Sequence, residues 1–289
     1  MFPANFDYVA PTSLDEALAI LAERGEDAKV LAGGQSLIPL MKLRFAAPAL
    51  IVDINRIPGL DDLTVDGSNQ LHIGALVRTS AMERSDLLRK KYPTMAAAAP
   101  QISDPIVRNQ GTFVGSLCHA DPQGDWGSVM LAMGGAVVAR SATSQRSIPI
   151  TEFFDGPFTS VLRADELAVE ATVPDPGKRS FGTYLKLERK VGDFATVGVA
   201  VFISTERGIV RRAGIALTGV GATNIKALDA EEALLGKRLS DKTIAQAAQL
   251  AAAASDPKTD VRGTAEYKRD VVRVFVARGL GEALGAKAA

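Results

Sequence analysis

The sequence has 289 residues, 47% of them hydrophobic, with 33 basic against 33 acidic side chains, two histidines and one cysteine. A chain of that size buries a substantial core and divides into two or three units of ordinary domain size. Balanced charge removes the basic surplus expected of a nucleic-acid binder, and the lone Cys118 excludes an intrachain disulfide, a cysteine-based zinc site or an iron–sulfur cluster held by this chain alone.

The start, "MFPANFDYVAPTS", lacks the basic end, apolar stretch and cleavage site of a signal peptide. "FDYVA" reads as a strand. "TSLDEALAILAERGED" then reads as a helix with both ends marked: Ser13 and Glu16 have capping-box spacing, Leu14, Ala17, Leu18 and Leu21 share one face, and Gly25 suits the stop. "KVLA", a short helix and "ALIVDI" (Ala49–Ile54) complete a strand–helix–strand–helix–strand order with parallel pairing. "LTVDGSNQLHIGALV" reads as a hairpin, and "SAMERSDLLRKKYPTMAAAAPQI" as helices capped at Thr79 or Ser80.

A glycine-punctuated loop, "NQGTFVGSLCHADPQGDWG", leads into "VMLAM" and the strand "AVVARS". The longest apolar run, Val129 to Ala139, is too short to span a bilayer, so a cytoplasmic protein without a transmembrane segment is expected. Further strands are expected at "SVLRADELAVEATVP", "FGTYLKLERK", "TVGVAVFIST" and "GIVRRAGIALTGV", followed by helices in the last seventy or so residues. Boundaries near Asn55 and Pro176 give three units, 1–55, 56–175 and 176–289, in an α+β chain.

Most signatures of chemistry fail. There is no P-loop, and "GVGATN" (Gly219–Asn224) lacks the third dinucleotide glycine, so it reads as a hairpin or domain-joining turn. Two histidines cannot build a histidine-rich metal site. Cys118 and His119 are adjacent, which reads as a small buried thiol beside a loop histidine rather than a nucleophile–base pair. Two glycine segments remain. "AGGQS" (Ala32–Ser36) lies between a strand and a helix start, where successive N–H groups can converge on an anion, with Ser36 as cap or donor and Lys42 and Arg44 close by. "GTFVGS" (Gly111–Ser116) repeats the pattern with hydroxyls at Thr112 and Ser116. Two such segments point to a ligand with two linked phosphates.

"LAGGQSLIPLMKLR", "VRNQGTFVGSLCHADPQGDW", "YLKLERKVGDFATVGVAV" and "GTAEYKRDVVRVFVARGL", in that order, resemble the FAD-binding medium subunits of molybdenum hydroxylases, the family of carbon monoxide and xanthine dehydrogenases. The resemblance covers essentially the whole chain. It implies a PCMH-type FAD-binding region in two subdomains and a C-terminal domain of antiparallel sheet and helices. It also implies FAD between the two glycine segments, with the pyrophosphate meeting Ala32 to Ser36 on one side and Thr112 to Ser116 on the other.

By position in the matching motifs, the resemblance assigns cofactor contacts to Val30, Leu31, Ala32, Gly33, Gly34, Gln35, Ser36 and Leu37, and to Gly111, Thr112, Phe113, Val114, Gly115 and Ser116. Ile102, Asp125, Leu162 and Lys186 complete the set, with Asp125 accepting from sugar or ribityl hydroxyls and Lys186 placing a cation near the flavin ring. No residue is assigned a catalytic acid or base role, and none a metal. Family loops read T-x-G-G-[NS] where this chain has Val114, and the first loop often has histidine where Gln35 stands. A β-branched residue disfavours positive φ, so Val114 is expected to disturb the second loop, and Val114→Gly to leave affinity equal or better. Gly33→Val is expected to abolish flavin retention by filling the phosphate's place.

The implied function is that of the FAD-carrying electron-transfer subunit of a heterotrimer, assembled as a dimer of heterotrimers. A large molybdopterin subunit would oxidise the substrate, a small subunit would supply two [2Fe–2S] clusters, and an external acceptor would take the electrons. The alternatives are a non-redox nucleotide-binding or assembly module whose second loop has decayed at Val114, and a stand-alone flavin dehydrogenase.

Overall fold

The computed structural model describes residues 2–285; the last four positions of the third expected unit lie outside that range. The first unit runs β1 (Asp7–Val9), α1 (Leu14–Arg24), β2 (Ala28–Leu31), α2 (Leu37–Lys42) and β3 (Leu50–Asp53). Its strands form a parallel sheet in the order β1–β3–β2. Ser13 caps α1 through its Oγ, which accepts from the Glu16 N–H, but the Glu16 carboxylate accepts from Thr12 rather than closing the box on Ser13. Ala17, Leu18 and Leu21 bury the apolar face of α1 against Leu50, Val52 and Ile54.

The middle unit contains β4 (Leu63–Val65), β5 (Leu71–Gly74), α3 (Thr79–Arg84), α4 (Asp86–Lys91), α5 (Pro93–Ala98), α6 (Pro105–Gln110), α7 (Phe113–His119) and α8 (Asp125–Met133). β6 (Ala136–Arg140), β7 (Gln145–Pro149), β8 (Phe154–Gly156), β9 (Thr159–Ser160) and β10 (Leu167–Val173) follow. Five strands form an antiparallel sheet in the order β4–β5–β10–β6–β7. Two expectations change. Thr79 is already helical and its Oγ1 accepts from the Trp126 indole, while Ser85 is the residue that caps, at α4. The strand expected from Ser160 to Pro174 is interrupted, because Glu166 folds the 161–166 segment around Arg146 and Arg163.

The last unit holds β11 (Ser180–Leu187), β12 (Val197–Glu206), β13 (Ile209–Thr218), β14 (Ile225–Lys226), α9 (Leu228–Glu232), α10 (Asp241–Ala254) and α11 (Ala265–Gly285). Its four strands are antiparallel and paired in chain order. An antiparallel strand with one wet face alternates apolar and polar residues, yet "TVGVAVFI" is nearly all apolar. The fold explains this: both faces of β12 are covered. Val197, Val199, Val201 and Ile203 pack with α9, α10 and α11, while Ala200 and Phe202 join Met95, Trp126 and Met130 in the central core. The C-terminal sheet therefore lies directly on the helices of the middle unit. Among the described residues no helix is long and apolar enough to cross a membrane.

Candidate functional site

The first glycine segment leaves the carboxyl end of β2 and turns into α2, on the side of a parallel sheet where ligands commonly bind. Gly34 has φ +72°, a left-handed conformation that side chains resist. The Gln35 amide donates to the Gly33 carbonyl at 3.2 Å, while Ser36 makes no side-chain cap bond and keeps its hydroxyl free. Among the described residues, nothing accepts from the N–H groups of Gly33, Gly34, Gln35, Ser36 or Leu37. Five consecutive donors without partners form the richest anion-receptive stretch of the segment. Val30 and Leu31, by contrast, belong to β2 and are paired with β3.

The second segment is not an open loop. Gly111 ends α6, and Thr112 caps α7, its Oγ1 accepting from the Gly115 N–H at 3.1 Å. A Cβ at Gly115 would lie 2.5 Å from Thr112 Oγ1, so glycine here lets the cap close, and the same position stands at ordinary contact distance, 4.0 Å, from Ala32 Cβ of the first segment. Phe113 is fully buried with its ring edge-on to Trp126 at 4.7 Å, and Val114 is 2% exposed in the same core. This corrects the expectation for Val114. It sits in an α-helix, needs no positive φ, and turns its side chain inward. Of the backbone donors here, those of Thr112 and Val114 have no acceptor among the described residues, and Ser116 adds a partly exposed hydroxyl.

The two segments touch. A Cβ on Gly33 would strike the Gln110 carbonyl oxygen and lie 2.8 Å from Gly111 Cα, and one on Gly111 would lie 3.7 Å from Gln35 Cγ. They stand side by side rather than facing each other across a gap. Backbone contact between the segments therefore requires glycine at 33.

Asp125, Lys186 and the carbonyl next to Ile102 converge on a different feature. Lys186 Nζ donates to Asp125 Oδ2 at 2.9 Å and to the Gln101 carbonyl at 2.9 Å, and lies 3.6 Å from Glu188 Oε2. The Tyr184 hydroxyl donates to the other Asp125 oxygen at 2.6 Å. Burial raises the Asp125 carboxyl above its ordinary pKa against the opposing pull of Lys186, and burial then Asp125 hold the Tyr184 phenol well above its own. Asp125 and Lys186 pair in a buried strut between α8 and β11, where the Asp125 carboxylate accepts from both Lys186 and Tyr184. Ile102 and Leu162 pack at the margin of the central core. Cys118 and His119 are no catalytic pair: burial pushes the thiol up to about 12 and lowers the imidazole, whose ring packs on Phe158 at 5.2 Å.

Sequence reasoning missed Asp53, Asn55 and Arg78, which stand beside the glycine segments. Their partners are up to 45 residues away, and only the position of "VDIN" at the end of a strand paired with β2 hinted at them.

Residues 4–176 match the family of the FAD-binding domain in molybdopterin dehydrogenase, and residues 182–283 match the CO dehydrogenase flavoprotein C-terminal domain. The chain is 39% identical to the 6-hydroxypseudooxynicotine dehydrogenase complex subunit alpha of Paenarthrobacter nicotinovorans, covering 98% of this chain and 96% of that one. It is 38% identical to the carbon monoxide dehydrogenase medium chain of Hydrogenophaga pseudoflava, over 98% of both. A solved carbon monoxide dehydrogenase from the same organism, lacking the Mo-pyranopterin moiety of its molybdenum cofactor, contains a chain that superposes with a TM-score of 0.95 at 40% identity, over 99% of both chains.

Proposed function

Because the chain belongs to the family of FAD-binding subunits of molybdopterin dehydrogenases, we propose that it takes electrons from [2Fe–2S] clusters of a small partner subunit and passes them, through FAD, to an external acceptor. It is an FAD-binding medium subunit of the carbon monoxide dehydrogenase type, and an oxidoreductase component. The substrate would be oxidised on a large molybdopterin subunit. A single cysteine supports this division of labour, since the clusters need thiolates that another chain must supply.

One observation carries the cofactor placement: the unpartnered N–H row from Gly33 to Leu37, beside the Thr112 and Val114 donors. That donor set fits a diphosphate, which presents several anionic oxygens and no hydrogens to compete. The hydroxyls of Ser36 and Ser116 can add charge-assisted bonds, and the left-handed turn at Gly34 keeps successive N–H groups on one side. FAD, when bound, supplies the hydride and electron chemistry, leaving the protein to bind and orient it. No side chain of the segments need act as acid or base. The alternative of a decayed, non-redox module loses its ground, because Val114 serves the core and leaves the backbone donors intact.

The test is titration of the full chain with FAD and with FMN, which lacks the diphosphate bridge. Stoichiometric FAD binding with much weaker FMN binding is expected; equal affinity for the two would remove the diphosphate from the site. With the small and large subunits added, flavin bleaching on addition of a substrate of the complex should require the small subunit. Bleaching without it refutes the proposed route.

A further inference from the structure

We propose that Asn55 and Arg78 are positioning residues of the flavin site, fixing the spacing and facing of its two glycine segments through one continuous hydrogen-bonded brace. The inference rests on the FAD reading above. The brace starts at the first segment, where Asn55 Nδ2 donates to the Ala32 carbonyl at 2.8 Å. Asn55 Oδ1 in turn accepts from Arg78 Nη2 at 2.5 Å, and Arg78 Nη1 donates to the Gln110 carbonyl at the start of the second segment. The near end is anchored by Asp53, whose Oδ1 accepts from both Asn55 nitrogens at 2.6 and 2.9 Å and whose Oδ2 accepts from the Tyr8 hydroxyl at 2.6 Å. The far end is anchored by main chain, since Arg78 bridges to Thr112 and the Thr79 N–H donates to the Gly111 carbonyl at 2.9 Å.

The consequence lies in peptide geometry. In a trans peptide the carbonyl and the following N–H point in opposite directions. Turning the Ala32 carbonyl into the brace therefore turns the Gly33 N–H away from it, and binding the Gly111 carbonyl does the same for the Thr112 N–H. Both are donors without a partner among the described residues. Asn55 thus aims a free donor of the first segment, the main-chain bond from Thr79 aims one of the second, and the link through Arg78 holds the segments at the contact distance that Gly33 permits. Only arginine serves at 78, because its planar fork reaches two acceptors at once, whereas an ammonium on a flexible stem does not hold both in fixed geometry.

The experiment uses the full chain and reads FAD affinity by flavin fluorescence quenching, the bound-flavin absorption spectrum, and thermal unfolding without cofactor. Asn55→Ala and Arg78→Met should each weaken FAD binding about tenfold, the loss of roughly one charge-assisted bond. The double variant should be no weaker than the worse single one, because either cut severs the same side-chain link between the two segments. Arg78→Lys, which keeps the charge, should also weaken binding and alter the bound spectrum. Val276→Ala, a core truncation in α11 remote from the site, should lower the melting temperature with affinity unchanged. Wild-type affinity in either single variant, wild-type affinity in Arg78→Lys, or multiplying losses in the double variant overturns the inference. An equal loss of affinity in Val276→Ala overturns it too, by showing that any destabilisation suffices. If Arg78→Met does not fold, Asn55→Ala and Arg78→Lys carry the test. Failure of the wild-type chain to bind FAD would instead overturn the reading beneath.

Discussion

Replacing Gly33 by alanine adds one methyl group where two backbone segments meet. That carbon would lie 2.8 Å from Gly111 Cα and closer still to the Gln110 oxygen. Carbon atoms settle at about 3.5–4.0 Å, so the segments must part by about 1 Å. The neighbours are main chain and cannot rotate aside. Overpacking of this kind costs about 1–3 kcal/mol of stability. A donor displaced by about 1 Å from about 2.9 Å no longer makes a hydrogen bond. Loss of one bond to a charged oxygen, worth about 1.5–3 kcal/mol, corresponds to about a 10- to 100-fold rise in the FAD dissociation constant. Fluorescence quenching measures that constant, and circular dichroism reports whether the variant is folded. A folded Gly33→Ala protein that binds FAD within twofold of wild type refutes the reasoning, because it would show that the contact between segments is not coupled to the cofactor.

Three further outcomes are expected. Val114→Gly, expected from the sequence to leave FAD affinity equal or better, should lower stability by about 2–4 kcal/mol through lost burial and a glycine inside α7, while the folded fraction binds FAD as before; a melting temperature equal to wild type would contradict the buried placement. Lys186→Met leaves Asp125 buried without its counterion, which costs about 3–5 kcal/mol. That loss should shrink as pH falls, because the neutral carboxyl is the form burial favours, so a deficit that grows towards acid refutes the strut. His72 lies between Asp66 and Glu170 at 3.4 and 3.2 Å, and these hydrogen bonds and charges outweigh desolvation to raise its pKa above 6.5. Its stabilising effect is fully present below 6.5 and disappears as pH rises through the folded value, so the stability gap between wild type and His72→Gln should close on the alkaline side. A gap that widens there would mean the imidazole is neutral in the fold.

Much of this architecture could be read locally. Ser13, the apolar spacing of α1, the turn between Val65 and Leu71 and the proline–glycine break near Pro176 each announce an element through its own neighbours in sequence. The first glycine segment was legible for the same reason, since a left-handed turn at Gly34 requires glycine. The second was misread. Phe113, Val114 and Leu117 have helical spacing, but glycines at 111 and 115 suggested a loop, and tertiary burial outweighed their poor helix propensity. What stayed hidden depends on long-range pairing: Asn55 with Arg78 across 23 residues, and Asp125 with Lys186 across 61. No periodicity encodes such partners, and each side chain alone looks like an ordinary surface residue or cap.

The double-sided burial of β12 bears on any attempt to dissect the molecule. A fragment ending near Pro176 would strip Phe202 and Ala200 from the packing around Trp126, and would leave Asp125 facing solvent or oil without its lysine and tyrosine. Such a piece has every glycine of the cofactor segments yet presents a raw, sticky flank, so it should aggregate rather than turn yellow. The tail half is thus a lid the front half cannot shed, and gene fusions or splits belong before Phe6 or after Gly285, not at the seam the sequence advertises.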